Sequence, residues 1–377
     1  MSKNFLILMS GGTTPVINST LASIIKRIRK KNKNIKIFSG RPGIIGATKD
    51  NFLDLSKLSD KKIKVISQTP GSHFIGTSRL KKLSSDEIKI LEKNLKKRKI
   101  KYVINIGGNG TLQQTIDLSH RLKNINFAAC PKTVDNDLGD IKLHKMLFNP
   151  GFISCVKIWQ FFLQMINIEN IGAQSHDKVI ISQTFGRDTG FICGSIRLWD
   201  QKRKLPIMLL LPEDKQSFKT ILFYIKKKLK KYGRLMIFMS EGYNLQSVSP
   251  KFDQSGQVMY GSSGTSSCQI LNNKLNNVGI QSRIFNPTIL QRVFKYNNTL
   301  VSSKDIRIAR QVGSNAVDFL LKDKKSFLIS ISNKEKIYAL SFDKCKNFSR
   351  KLSRELYLKK KFDVSNKYIK YLKKVIA

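Results

Sequence analysis

A run of β-branched and apolar residues, 102–106 (YVINI), stops at Gly107-Gly108-Asn109-Gly110, and helical spacing begins at Thr111 with Leu112, Ile116, Leu118 and Leu122. The run reads as a buried parallel strand. Strand, glycine turn and helix, in that order, aim backbone N–H groups and a helix N-terminus at an anion, usually a phosphate. A second strand, 127–130, breaks at Pro131 into Lys132-Thr133-Val134-Asp135-Asn136-Asp137. That loop puts one cation and two carboxylates at the carboxyl end of a strand, where open α/β sheets bind their ligands. Gly-Gly-x-Gly alone is usually an ordinary turn, and Asp-x-Asp alone is usually a cap. Both at successive strand ends are far more specific.

The chain start repeats the layout. Residues 4–9 read as a strand, Ser10-Gly11-Gly12-Thr13-Thr14-Pro15 as its exit and 16–30 as a helix. Neither G-x-x-x-x-G-K-[ST] nor G-x-G-x-x-G is present there, so this is no Walker loop and no dinucleotide fingerprint. Further strands are expected over 35–39, 178–183, 207–211 and 235–240, and helices over 86–99, 152–166 and 304–321. Residues 40–47 (GRPGIIGA) read as a turn-rich loop, and 251 onward with the Ser/Gly-rich 261–267 as a mobile connection. A chain of 377 residues accommodates two domains of ordinary size.

Charge narrows the function classes less than it first suggests. The chain has 69 Lys and Arg against 25 Asp and Glu, a net charge of +44. Phosphate neutralisation on nucleic acid is one use of such an excess. Here the lysines are spread over the whole length among Ile and Asn, with no basic arm and no nucleic-acid module, so compositional drift is the better reading. Runs such as 226–231 and 359–361 read as solvated faces of helix-like segments. The five cysteines form no C-x-x-C pair and are expected to be buried, reduced thiols of a cytoplasmic protein. No apolar run approaches the roughly 20 residues that cross a bilayer.

Six ordered motifs resemble the phosphofructokinase superfamily over about residues 4–320: the Gly11-Gly12 turn, GSHFIGTSR ending at Arg79, GGNGT, PKTVDND, FGRDTGF (185–191) and Ser240-Glu241-Gly242. Arg283 and Arg292, nine residues apart, add the spacing of a closing Gln-Arg pair. Lys132 points toward the pyrophosphate-dependent members. The resemblance implies an α/β fold of two Rossmann-like, three-layer domains with mainly parallel sheets. It assigns a phosphate-donor domain to 1–140, completed by 291–325, and a fructose 6-phosphate domain to 141–290, with 334–377 left as a basic C-terminal segment.

The activity implied is phosphoryl transfer from pyrophosphate to the 1-hydroxyl of fructose 6-phosphate. The alternatives are an ATP-dependent 6-phosphofructokinase and a non-catalytic phosphate- or RNA-binding relative. By resemblance Asp135 is the base, with Lys132, Thr133, Asp137 and Arg187 beside it. Gly11, Gly12, Arg79, Gly108, Gly110 and Thr111 meet the donor. Phe185, Gly186, Arg187, Lys178, Glu241, Arg283 and Arg292 meet the sugar phosphate, Lys178 across a subunit interface. Mg²⁺ is the implied cofactor, with Asn109 where most relatives carry an Asp that holds it through water. Gly110 stands where many pyrophosphate users carry Asp, and Phe185 and Ile289 replace the usual Met and His. A homodimer or homotetramer is implied, with no membrane and no nucleic-acid partner.

Overall fold

In the computed structural model the described residues are 3–79, 82–245, 266–294, 300–322 and 324–377. The chain opens with β1 (Asn4–Met9), α1 (Ile17–Lys31), β2 (Ile37–Gly40), α2 (Gly43–Thr48), β3 (Phe52–Asp54), α3 (Asp60–Ser67) and α4 (Ser85–Lys97). Then come β4 (Ile100–Gly107), α5 (Asn109–Arg121), β5 (Asn126–Pro131), α6 (Phe152–Gly172), β6 (Val179–Thr184), α7 (Phe191–Ser195), β7 (Ile207–Leu210), α8 (Phe218–Tyr232) and β8 (Leu235–Ser240). It closes with α9 (Ser267–Asn276), β9 (Ser282–Phe285), α10 (Ser303–Leu321), β10 (Phe327–Ile331), β11 (Ile337–Ser341), β12 (Tyr357–Leu358), β13 (Asp363–Val364) and α11 (Asn366–Ile376). Among the described residues no helix is long and apolar enough to cross a membrane.

Two compact units result. The first comprises Met1–Thr133, Leu138–Gly151 and Arg292–Ser349; the second comprises Val134–Asp137, Phe152–Gln291 and Arg350–Ala377. The chain changes unit inside the PKTVDND loop, between Thr133 and Val134 and again after Asp137.

The first unit is built on a seven-stranded sheet ordered β11-β10-β5-β4-β1-β2-β3. Its central strands are parallel, and β3 and β11 run antiparallel at the edges. All six β1 residues are buried, as a parallel strand covered on both faces requires. Because Met9 lies beside Ile106 and Gly107 beside Pro131, the exits of β1, β4 and β5 fall together.

The second unit holds a parallel four-stranded sheet, β7-β8-β6-β9, and a two-stranded β12–β13 ribbon. Alternate β8 side chains face opposite sides. Ile237 and Met239 pack with Ile221 and Ile225 of α8, whereas the Phe238 ring meets Trp159 of α6 at 5.9 Å. Helix, sheet and helix make the three layers.

Four expectations change. Residues 40–47 are not simply a loop: α2 forms there because Ile44 and Ala47 are buried, an anchor that overrides the weak helix propensity of its glycines. Helix α5 starts at Asn109, two residues before Thr111, because Gly108 serves as its N-cap. Lys359–Lys361 is the turn between β12 and β13, with Lys360 at φ 58°, so it is no helix face. Residues 334–377 do not stand apart, since they divide between the two units at Ser349 and Arg350. The expected connection at 251 onward falls outside the described residues up to 265, after which Ser266 caps α9. All five cysteines are buried and none is in a disulfide.

Candidate active site

In the first unit the anion cradle is made of backbone. Gly11 turns with φ +73°, and its N–H donates to Ser78 O at 3.2 Å. Ser10 and Ser78 form a parallel bridge, which brings the exposed Arg79 in beside the first glycine turn. A methyl group added at Gly12 would sit 2.5 Å from Arg292 Nη1, so the absent side chain makes room for a guanidinium. Lys132 is 3% exposed, and its ammonium donates to Ser10 O at 2.9 Å and to Gly12 O.

The second glycine turn lies against the same lysine. A Cβ on Gly108 would be 3.7 Å from Lys132 O and 3.8 Å from Thr133 Cβ. Helix α5 opens at Gly108 without a side-chain cap, so its positive end is presented by backbone alone. Asn109, the exposed Gly110 and the buried Thr111 occupy its first turn. The Asn109 amide nitrogen donates to Ser349 Oγ at 3.3 Å. Thr133 is anchored by its N–H to Pro150 O at 3.2 Å. Gly11, Gly12, Gly108, Lys132, Thr133 and Arg292 are therefore one neighbourhood.

In the second unit side chains do the holding. The loop after β6 is strained: Gly186 has φ +132° and Arg187, a non-glycine residue, has φ +50°. Such a conformation persists only where its surroundings fix it. Glu241 Oε1 accepts the Arg187 N–H at 3.1 Å, and Ser240 Oγ donates to the Arg187 carbonyl at 3.0 Å and the Thr189 carbonyl at 3.2 Å. The Gln291 Oε1 accepts from the half-buried Phe185 N–H at 2.8 Å and from Trp159 Nε1 at 3.1 Å. So held, Arg187 Nε stands 3.9 Å from Asp135 Oδ2, with the two side chains 45% and 15% exposed. Asp137 on the same loop is 7% exposed.

Lys178 and Arg283 lie elsewhere. Lys178 immediately precedes β6 and Arg187 follows it, so six strand residues, about 20 Å, separate them. Arg283 on β9 is level with Ile180, toward the Lys178 end of β6. It is paired with Glu169 Oε1 at 2.7 Å and Asp177 Oδ2 at 2.5 Å. Arg283 and Arg292, expected as a pair, belong to different units.

Sequence reasoning missed the tethers. Gln291 was legible only as a partner of Arg292, although it fixes Phe185. Glu213 had no motif at all. Its Oε1 accepts N–H groups from Gly190 at 3.0 Å and Leu352 at 2.9 Å, linking the Arg187 loop to the C-terminal chain. Burial pushes its carboxyl above the ordinary range, against the lowering effect of those N–H groups.

Among the described residues no three His, Cys, Asp or Glu side chains converge as a metal cage. Neither the Asn109 amide in the first unit nor Asp135 and Asp137 in the second makes a cage by itself, so an ion held by either would have to keep most of its waters, as Mg²⁺ does.

A family model described as phosphofructokinase matches residues 4–320. The chain belongs to the phosphofructokinase family. Among curated family members it is 28% identical to the pyrophosphate–fructose 6-phosphate 1-phosphotransferase of Xanthomonas campestris, covering 99% of this chain and 91% of the relative. It is 24% identical to an ATP-dependent 6-phosphofructokinase of Staphylococcus aureus, over 90% and 92% of the two chains. The solved structure of a pyrophosphate-dependent phosphofructokinase from Nitrosospira multiformis superposes with a TM-score of 0.86 at 24% identity, covering 100% of this chain and 92% of that one. The α/β phosphofructokinase fold expected from the motifs is thus the fold observed.

Proposed function

We propose that this chain transfers a phosphoryl group from pyrophosphate to the 1-hydroxyl of fructose 6-phosphate, giving fructose 1,6-bisphosphate and phosphate in the cytoplasm as a step of glycolysis. The observation that carries the reading is Lys132, a buried ammonium drawn onto the carbonyls of Ser10 and Gly12 at the first glycine turn. A fixed point charge there offsets the charge of a compact diphosphate, in keeping with the name of the Xanthomonas relative.

Phosphoryl transfer asks for in-line positioning and charge neutralisation more than for covalent chemistry. Asp135 takes the proton of the 1-hydroxyl. The hydroxyl oxygen forms the new O–P bond as the bridging P–O bond of pyrophosphate breaks and phosphate leaves. Thr133 orients the transferred group and Asp137 tunes the base. Lys132 and Arg187 offset charge developing on the phosphoryl oxygens. Gly11, Gly12, Gly108, Gly110, Thr111 and Arg79 receive the donor, and Asn109 would help hold Mg²⁺, which would supply charge neutralisation to the donor. Phe185, Gly186, Arg187, Glu241 and Arg292 receive the sugar phosphate. The distance of Lys178 and Arg283 from Arg187 along β6 supports their serving a neighbouring copy in a homodimer or homotetramer.

ATP as donor is the second reading, favoured by Gly110, which brings no side chain into the first turn of α5. A coupled assay with each donor separates the two: turnover with pyrophosphate alone is expected, and turnover with ATP alone overturns the first reading. Retention of full turnover by Asp135→Ala would remove the assigned base.

A further inference from the structure

The C-terminal chain beyond residue 320, where the family match ends, grips the carboxylate loop directly. Arg350 is 2% exposed. Its Nε donates to Asn136 O at 2.7 Å and its Nη2 to Asn136 Oδ1 at 2.6 Å, while its backbone N–H donates to Asp137 O at 2.8 Å. The other end of the Asn136 side chain donates to Tyr371 Oη on α11 at 2.9 Å. Asn136 itself is left-handed, φ +58°, and stands between Asp135 and Asp137. A residue in that conformation sets the directions of both chain neighbours, and here all of its polar groups named above are clamped by two side chains more than 200 residues away.

The clamp is itself braced. The guanidinium lies 5.4 Å from the ring of Phe191, which opens α7 directly after the Arg187 loop, and Tyr371 stacks on Tyr368 at 5.7 Å. Tyr368 Oη in turn donates to Phe191 O at 2.5 Å. One bracket thereby supports both the Asp135 loop and the Arg187 loop within the second unit.

We propose that Arg350 and Tyr371 are positioning residues of the phosphoryl transfer, fixing Asn136 and through it the aim of Asp135 at the acceptor hydroxyl. The proposal rests on the function given above. Lysine at 350 keeps the charge and cannot reproduce the fork, and phenylalanine at 371 keeps the ring and removes one acceptor.

The test is steady-state kinetics of purified full-length Arg350→Lys and Tyr371→Phe, with thermal melting of each. Misaim of a reacting group costs on the order of 10²-fold, so Arg350→Lys is expected to lose about 10²-fold in kcat. Losing one hydrogen bond to the clamp costs about tenfold in Tyr371→Phe. The KM for fructose 6-phosphate should hold in both. Arg197→Lys is the control, since Arg197 is equally buried in the same unit and bound to Asp200 and Asp363 without touching the loop. It should lower the melting temperature and keep kcat. Clamp variants that melt early with wild-type kcat overturn the positioning role alone. A wild-type chain inactive with both pyrophosphate and ATP overturns the functional reading and the proposal together.

Discussion

The two units hold their candidate site groups with different materials. In the first, Gly11, Gly12 and Gly108 leave room for close approach, and Lys132 and Arg292 reach the first turn. In the second, almost nothing is left to the backbone. The loops that carry Asp135 and Arg187 are held by Ser240 and Glu241, by Gln291 and by Arg350, from three separate parts of the chain. A backbone cradle is local in sequence and tolerant of its neighbours. A side-chain bracket is non-local and brittle.

The largest expected effect bears on the bracketed half. Asp135→Asn keeps the shape and removes the proposed base, so kcat should fall by roughly 10²–10⁴-fold, the usual worth of general acid–base catalysis. The melting temperature should move by no more than a few degrees. Steady-state kinetics with a saturating donor measures it, and a variant within fivefold of wild type would mean that the aimed carboxylate is not the proton acceptor.

Next in size is a change to the cradle. In Gly12→Ala the new methyl group meets Arg292 Nη1, the far end of a flexible side chain, so the fold should survive while the guanidinium shifts. One displaced charge-assisted contact is worth about 1.5–3 kcal/mol, so kcat/KM for fructose 6-phosphate, the ligand proposed for Arg292, should drop by about 10- to 10²-fold. The pairing of Phe185 with Gln291, in the other unit, should be untouched. A lowered melting temperature with unchanged kinetics would place the effect in folding and dissolve the contrast between the halves.

The same division of materials explains what the sequence disclosed. Strand, glycine turn and helix are consecutive, so the exits of β1 and β4 and the PKTVDND loop were legible, and β1 and β8 are found over the expected residues. Motif spacing likewise pointed to Arg187 and Glu241. What stayed hidden needs sheet topology. Nothing in FGRDTGF says that Gln291 will hold Phe185. Nothing in a lysine-rich C-terminus says that Arg350 and Tyr371 will reach Asn136. The separation of Lys178 from Arg187, by contrast, follows from β6, the strand already expected over 178–183. Helix α2 was missed because two glycines and a proline masked a segment whose stability comes from burying Ile44 and Ala47.

A baseline for stability without function comes from α4, whose N-cap Ser84 and Glu87 form a reciprocal capping box. Ser84→Ala should cost about 1 kcal/mol, a shift of roughly 2–4 °C in a unit of this size. Both kcat and donor KM should stay at wild-type values. If they move, the cradle is not insulated from the rest of its unit, and the locality argued for it fails.

The smallest effect tests whether the bracket is sensitive to pH where the cradle is not. Glu213 ties Gly190 to Leu352, and burial raises its carboxyl above the ordinary range while two N–H groups pull the other way. A carboxyl whose folded pKa is raised favours the fold below its unfolded pKa. That contribution is lost as pH rises through the folded value. The wild-type chain therefore bears the cost of a buried ionised group at neutral pH, and Glu213→Gln, always neutral and still able to accept at one oxygen, does not. The melting temperature of the variant minus that of wild type should become more positive from about pH 4 to about pH 8, because the unfolded carboxyl titrates near 4.3 and the folded one above it. The opposing contributions partly cancel, so the change should be the smallest of the four effects. A difference that instead falls with rising pH would mean that Glu213 is held as a carboxylate by charges in its surroundings, and the tether would then be an ion-pair device instead of a buried acceptor.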